Sequence, residues 1–172
     1  MSELKVDTIT PNTVAVIDAP WKILQVVQTG VTAATASTTS TSFVDMTGMT
    51  VSITPASASN KVLVSFSVML GATANKLTHV TLVRDSTEIF RGDAASSRTR
   101  VSTSGSIPES DHMTNQFMTY LDSPSTTSAT TYKLQWEAES GETIYLNRSF
   151  GDGDASTSAR GASSITVMEV GA

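Results

Sequence analysis

Between Lys61 and Leu70 every second residue is apolar, so Val62, Val64, Phe66, Val68 and Leu70 fall on one side of an extended chain. A period of two is the period of a β-strand, whose successive side chains point to opposite faces. Weaker versions of the pattern continue from Trp21 onward, and helical spacing recurs nowhere convincingly. It predicts strands over residues 21–28, 43–46, 49–53, 61–70, 80–84, 88–91, 113–121, 131–138, 143–148 and 164–170. Between them lie segments rich in Pro, Gly, Asx and Ser, such as 54–60, 122–128 and 151–154, the residue types that turns require for backbone reasons. Many short strands, with long connections over 31–42 and 93–111, predict an all-β chain. The expected form is a jelly-roll-like antiparallel β-sandwich with an extended N-terminal arm.

The arm is expected over residues 1–20 and the β-sandwich knob over 21–172. Leu4, Val6 and Ile9 punctuate a polar stretch, and Pro11 and Pro20 bracket Val14, Val16 and Ile17. Twenty residues fully stretched reach about 65 Å, enough to cross to a neighbouring protein. These six apolar residues are the candidate anchoring and assembly residues, filling pockets while backbone hydrogen bonds supply affinity.

Composition narrows the function classes. The chain has 172 residues and no cysteine, which removes disulfide scaffolds, thiolate zinc sites and cysteine nucleophiles. Only 16% of residues are charged, while serine and threonine number 52. The net charge is −5, and the Lys and Arg residues are scattered singly, so nucleic acid is not an expected partner. No apolar run is long enough for a bilayer span, so no membrane insertion is expected. The N-terminus shows no secretory pattern. The second face of the 61–70 strand is mixed, and Leu63, Met69 and Met113 would expose more apolar surface than a small monomer usually does. Burial against further copies of the chain is the expectation.

Candidate chemistry is sparse. His79 and His112 are the only histidines. Ser102-Thr103-Ser104-Gly105 is the nearest approach to a nucleophile turn, without the strained Gly-x-Ser-x-Gly element. Glu137, Glu139 and Glu142 could be paired for glycoside hydrolysis only if folding set two of them across a substrate; a solvated strand edge is the simpler reading. Asp152-Gly153-Asp154 has the oxygen spacing of a hard-cation loop but no bidentate Glu at its far end, and an Asx-Gly turn explains it as well. Arg91-Gly92-Asp93 spells an adhesion tripeptide that a hairpin end also explains. The aromatics Trp21, Tyr120, Tyr132, Trp136 and Tyr145 read as anchors that bury area, with Trp136 in the core. Phe150, beside a polar loop, is the position for a sugar platform. Arg91, Asp93, Phe150, Asp152 and Asp154 therefore form the candidate recognition-loop set. No catalytic residue, metal or cofactor is expected.

Several blocks bear on family: Ser2-Glu3-Leu4-Lys5-Val6-Asp7-Thr8-Ile9-Thr10 at the start; Asn60-Lys61-Val62-Leu63-Val64; Leu82-Val83-Arg84-Asp85-Ser86-Thr87; Tyr120-Leu121-Asp122-Ser123-Pro124; Thr143-Ile144-Tyr145-Leu146-Asn147-Arg148; and Ser164-Ile165-Thr166-Val167-Met168-Glu169-Val170. Together they resemble fibre-like virion structural proteins of tailed bacteriophages, especially those of marine bacteria. The resemblance implies a non-enzymatic trimeric β knob, assembled in the host cytoplasm into the virion. It would be held to another virion protein through the arm and would meet a host-surface glycan or receptor. The chain departs from a long tail fibre in lacking a shaft between arm and knob, which leaves a capsid decoration or head-fibre protein, bound to the major capsid protein, as the alternative.

Overall fold

The structure, a computed structural model, describes residues 21–156 and 158–172. The predicted arm, with Leu4, Val6, Ile9, Val14, Val16 and Ile17, lies outside the described residues.

The alternation of Lys61–Gly71 becomes the central strand β4, and it organises one of two antiparallel sheets. In sheet A, β1 (Ile23–Val31) pairs with β11 (Ser163–Val170), β11 with β4, and β4 with β8 (Thr114–Asp122). Two short strands, β2 (Ser37–Thr38) and β10 (Ile144–Leu146), extend this sheet beside the end of β4. In sheet B, β3 (Val44–Ile53) pairs with β9 (Thr130–Ala138) and β9 with β5 (Lys76–Arg84). The other edge of β5 is shared by β6 (Thr87–Ile89) and β7 (Thr103–Ile107).

Counting only the eight long strands in chain order, one sheet runs first-eighth-third-sixth and the other second-seventh-fourth-fifth. That is the double Greek key of a jelly roll, as the turn spacing predicts. The inward rows interdigitate: Val62, Val64, Phe66, Val68 and Leu70 of β4 meet Val80 and Leu82 of β5 and Tyr132, Leu134 and Trp136 of β9, all buried.

Two predicted segments, 43–46 and 49–53, are one strand. The register of β3 against β9 shifts between Asp45 and Thr50. Gly48 takes the strain there at φ 82°, and a Cβ on it would stand 2.9 Å from Val31 Cγ2. Glycine is needed at this bulge for both its left-handed backbone and its small size. Strands β2 and β7 were not predicted, and they fall inside the expected long connections.

One end of the sandwich is tied across the sheets. Asp122 of β8 accepts from Arg84 Nη1 of β5 at 2.9 and 2.8 Å and from the Tyr132 hydroxyl of β9 at 2.7 Å. Burial, followed by this hydrogen bond to a carboxylate, pushes the Tyr132 phenol far above its ordinary value, so Tyr132 stays a donor. Phe90, after β6, stacks on Tyr120 of β8 with centroids 4.3 Å apart and so closes one open side.

Near that end, Glu169 of β11 is buried among donors. Its carboxylate accepts from Gln25 Nε2 at 2.6 Å, Asn60 Nδ2 at 2.5 Å and the Ala56 amide at 2.7 Å. Burial raises a carboxyl's pKa, but these hydrogen bonds outweigh it and hold Glu169 below its ordinary value. At the opposite end Asn147, with φ 64°, plays the equivalent part. Its Nδ2 donates to the Val31 and Ala33 carbonyls at 2.7 and 3.1 Å, and its Oδ1 accepts from Ser163 Oγ at 2.5 Å.

Candidate assembly face and recognition loops

The two outer faces of the sandwich differ in chemistry. On sheet B, Asp45 accepts from Lys133 Nζ at 2.8 Å and Gln135 Nε2 at 2.7 Å, which holds its carboxyl below the usual range. His79 Nδ1 and Glu137 Oε1 lie 3.0 Å apart. The charged groups named on this face already have hydrogen-bond partners.

On sheet A, strand register assembles three rows across β1, β11, β4 and β8. The first is Val26, Met168, Leu63 and Leu121, apolar throughout. Next comes Gln28, Thr166, Ser65 and Thr119, in which Gln28 Nε2 donates to Thr166 Oγ1 at 2.7 Å and Thr119 Oγ1 to Ser65 Oγ at 3.4 Å. The third is Gly30, Ser164, Ser67 and Phe117. These three rows carry no charged side chain, in a protein of which 16% is charged. Phe117, at the β8 edge, is 72% exposed. Apolar exposure continues at the start of β1 through Ile23 and Leu24.

Two expectations change here. Met69 and Met113 do not wait for another copy, because the chain's own connection into β11 crosses them. A Cβ on Gly161 would stand 2.8 Å from Met69 Cγ and 3.8 Å from Met113 Cε. The open apolar surface is instead the Leu63 row and Phe117. Trp21, expected among the buried anchors, is 61% exposed just before β1, with its amide donating to the Gly171 carbonyl at 3.0 Å.

The recognition-loop residues do not form one site. Arg91 and Asp93 lie in the excursion between β6 and β7, along the β5 edge of sheet B. Arg91 is ion-paired with Glu88, and the Gly92 carbonyl accepts from Arg100 Nε at 2.6 Å. The tripeptide's arginine is thus already committed, while Asp93 is exposed. Phe150, Asp152 and Asp154 lie at the far end of the sandwich, where the Phe150 amide donates to the Ser110 carbonyl at 3.0 Å. Asp152 accepts from Arg160 Nε at 3.0 Å and Nη2 at 2.8 Å, with Arg148 Nη1 3.7 Å away. Those guanidinium groups lower its pKa. Among the described residues no group of three His, Cys, Asp or Glu could hold a metal.

Phe150, 40% exposed, tilts against Tyr145 at 6.1 Å between centroids, and the Arg148 guanidinium covers the Tyr145 ring at 3.6 Å. An open cavity of about 340 Å³ adjoins this cluster, lined by Asp152, Gly153, Asp154, Ala155, Ser158 and Arg160.

The serine, histidine and carboxylates considered for catalysis lie on and beside sheet B. Ser104 is exposed and stands opposite His79 in the β5–β7 register, while the imidazole bonds to Glu137 on the other side. Glu139 accepts from the Leu77 amide, and Glu142 from the Glu139 and Ser140 amides. Of the three carboxylates considered for pairing, Glu139 and Glu142 therefore cap backbone, and Glu137 faces His79. Sequence reasoning missed Glu169 and Asn147, although the phase shared by Ile165, Val167 and Glu169 marks the latter carboxylate as inward-facing.

No protein-family model matches the chain, and no curated protein does. Among solved structures, one described as the structure of infectious bursal disease virus Gx strain aligns over 97% of this chain and 41% of its own, at 13% identity and a TM-score of 0.41. The chain therefore spans less than half the length of the structure it matches.

Proposed function

We propose that this chain is a non-enzymatic structural protein of a tailed-phage virion, a self-associating trimeric β knob attached by its N-terminal arm, of the tail-fibre, host-recognition type. The observation that carries the reading is the set of three uncharged rows on the outer face of sheet A, bounded at one end by Lys61, which contrasts with the charged, hydrogen-bonded groups on the face of sheet B. A surface without charge, bearing an in-register apolar row, is depleted in the way that protein–protein contact cores are. Jelly rolls serve in viral capsids and in lectins alike, so the fold agrees with the reading by analogy only. The sequence resemblance to fibre-like virion proteins supplies the virion context.

In this reading the knob assembles first and the arm, residues 1–20, fastens it to another virion protein. Three arms on one trimer bind with avidity, so that a modest affinity per arm suffices. The exposed cluster around Phe150 is where a host-surface glycan would lie against an aromatic ring.

The alternative is a capsid decoration or head-fibre protein bound to the major capsid protein. Copy number separates the two readings. Quantitative gel densitometry of virions should find a few copies for a fibre and hundreds for a decoration protein.

Truncating residues 1–20 tests the anchoring role. The expected result is a knob that still folds and self-associates but is lost from purified virions; incorporation at the wild-type level would refute the arm as anchor.

A further inference from the structure

We propose that copies of this chain pack through the outer face of sheet A, with Phe117 as the aromatic anchor. The inference rests on the self-association reading and assigns it a surface. The occupant is a second copy of the same chain, for reasons of charge. Each molecule carries a net −5, so copies repel wherever charged surfaces are opposed. The three rows of sheet A oppose no charges at all, and a partner selected by charge would find nothing here to read.

A second copy brings a matching neutral, hydroxyl-rich surface. Ser65, Ser67, Ser164 and Thr166 can each donate and accept, so the hydroxyls of one copy can satisfy those of the next. Sheet B is the poorer choice. Burying it would strip water from the Lys133–Asp45 and His79–Glu137 pairs without offering them new partners.

The distribution of apolar groups points to a ring. Val26 stands at the β1 edge of the face, and Leu121 and Phe117 at the β8 edge, with small polar side chains between. A copy can thus engage one neighbour on each side, as a closed cyclic assembly requires. Phe117 is the side chain with most to gain: it is 72% exposed and is followed along its row by Ser67, Ser164 and Gly30, which leave room beside it for a neighbour. Large aromatics in such positions dominate contact energies.

Sedimentation velocity on the full chain and on Leu63→Lys, Phe117→Lys and Ser52→Lys tests this. Ser52 is exposed on the sheet B side and is the control. The expected result is an assembly larger than the 18.1 kDa monomer for the parent chain and Ser52→Lys, and the monomer mass for both sheet A variants. A monomeric parent chain would overturn the self-association reading itself. A parent assembly that both sheet A lysines leave intact would overturn only the assignment of the face.

A second measurement covers the case in which the lysine variants misfold. Because the chain lacks cysteine, Thr119→Cys and Ser52→Cys each carry one thiol. In the assembly, maleimide should label the sheet A thiol about tenfold more slowly than the sheet B thiol, since thiol reactivity follows access. Equal rates would overturn the proposal.

Discussion

Replacing Glu169 with alanine is expected to lower the melting temperature by about 10 °C, equivalent to about 3 kcal/mol for a chain of this size. The cost arises from what is left behind. Gln25 Nε2, Asn60 Nδ2 and the Ala56 amide all donate to this carboxylate, and they converge on it from β1, from β4's approach and from the β3–β4 connection. Without it, the buried Asn60 amide loses its acceptor, and the half-buried Gln25 keeps only the Thr54 carbonyl, at an end of the sandwich where the Asn60 Oδ1 also holds the Ala172 amide at 3.2 Å. Glu169→Gln should retain part of the stability, because one amide oxygen can still accept while the new NH2 opposes existing donors.

The pH dependence follows from the direction of the shift. The Glu169 carboxyl titrates lower in the folded chain than its ordinary value of about 4.3. Its contribution is therefore fully present above that value, where both states are ionised, and is lost as pH falls through the lower folded value. Thermal melts of parent and Glu169→Gln, taken from neutral pH downward, should begin to draw together as pH falls below about 4.3 and converge once it has passed the lower folded value. Curves that stay parallel would mean that the carboxylate is not the buried acceptor described.

Asn147→Ala is the second large effect, expected to cost about 3 kcal/mol. Asn147 holds φ 64°, a backbone region that asparagine tolerates better than alanine. Its side chain also serves the Val31 and Ala33 carbonyls and the Ser163 hydroxyl, and so joins the end of β1 to the start of β11. Asn147→Gly separates the two contributions. Glycine keeps the left-handed backbone and loses the side-chain bonds, so it should be about 1 kcal/mol less damaging than alanine. Chemical denaturation of the three proteins measures the difference; glycine no better than alanine would show that the backbone carries no strain.

How legible the fold was depended on how much each strand relied on its own side chains. Strand β4 alternates Val, Val, Phe, Val and Leu inward and could be placed from sequence to within a residue. Strand β7, Thr-Ser-Gly-Ser-Ile, has one large apolar residue, so no period shows. It is a strand because β5 offers it a hydrogen-bonding edge. Strand β2, two residues long, exists for the same reason beside β10.

The site was partly legible on similar terms. The phase of β4 put Leu63 on the outer face, and that survives. Only tertiary structure could reveal that the Gly161 segment would cover Met69 and Met113, or that register would place Val26, Met168 and Leu121 in line with Leu63. In the Arg91-Gly92-Asp93 and Asp152-Gly153-Asp154 motifs the structure adds partners for one charged residue each. Arg91 is held by Glu88 and Asp152 by Arg148 and Arg160, partners that no spacing rule identifies, while Asp93 and Asp154 are exposed.

The mass of the full chain in solution, measured by sedimentation equilibrium across a range of concentrations, tests the central claim most directly. The account predicts three times the 18.1 kDa chain mass at concentrations where the assembly is populated. A single species of 18.1 kDa at every concentration would contradict it.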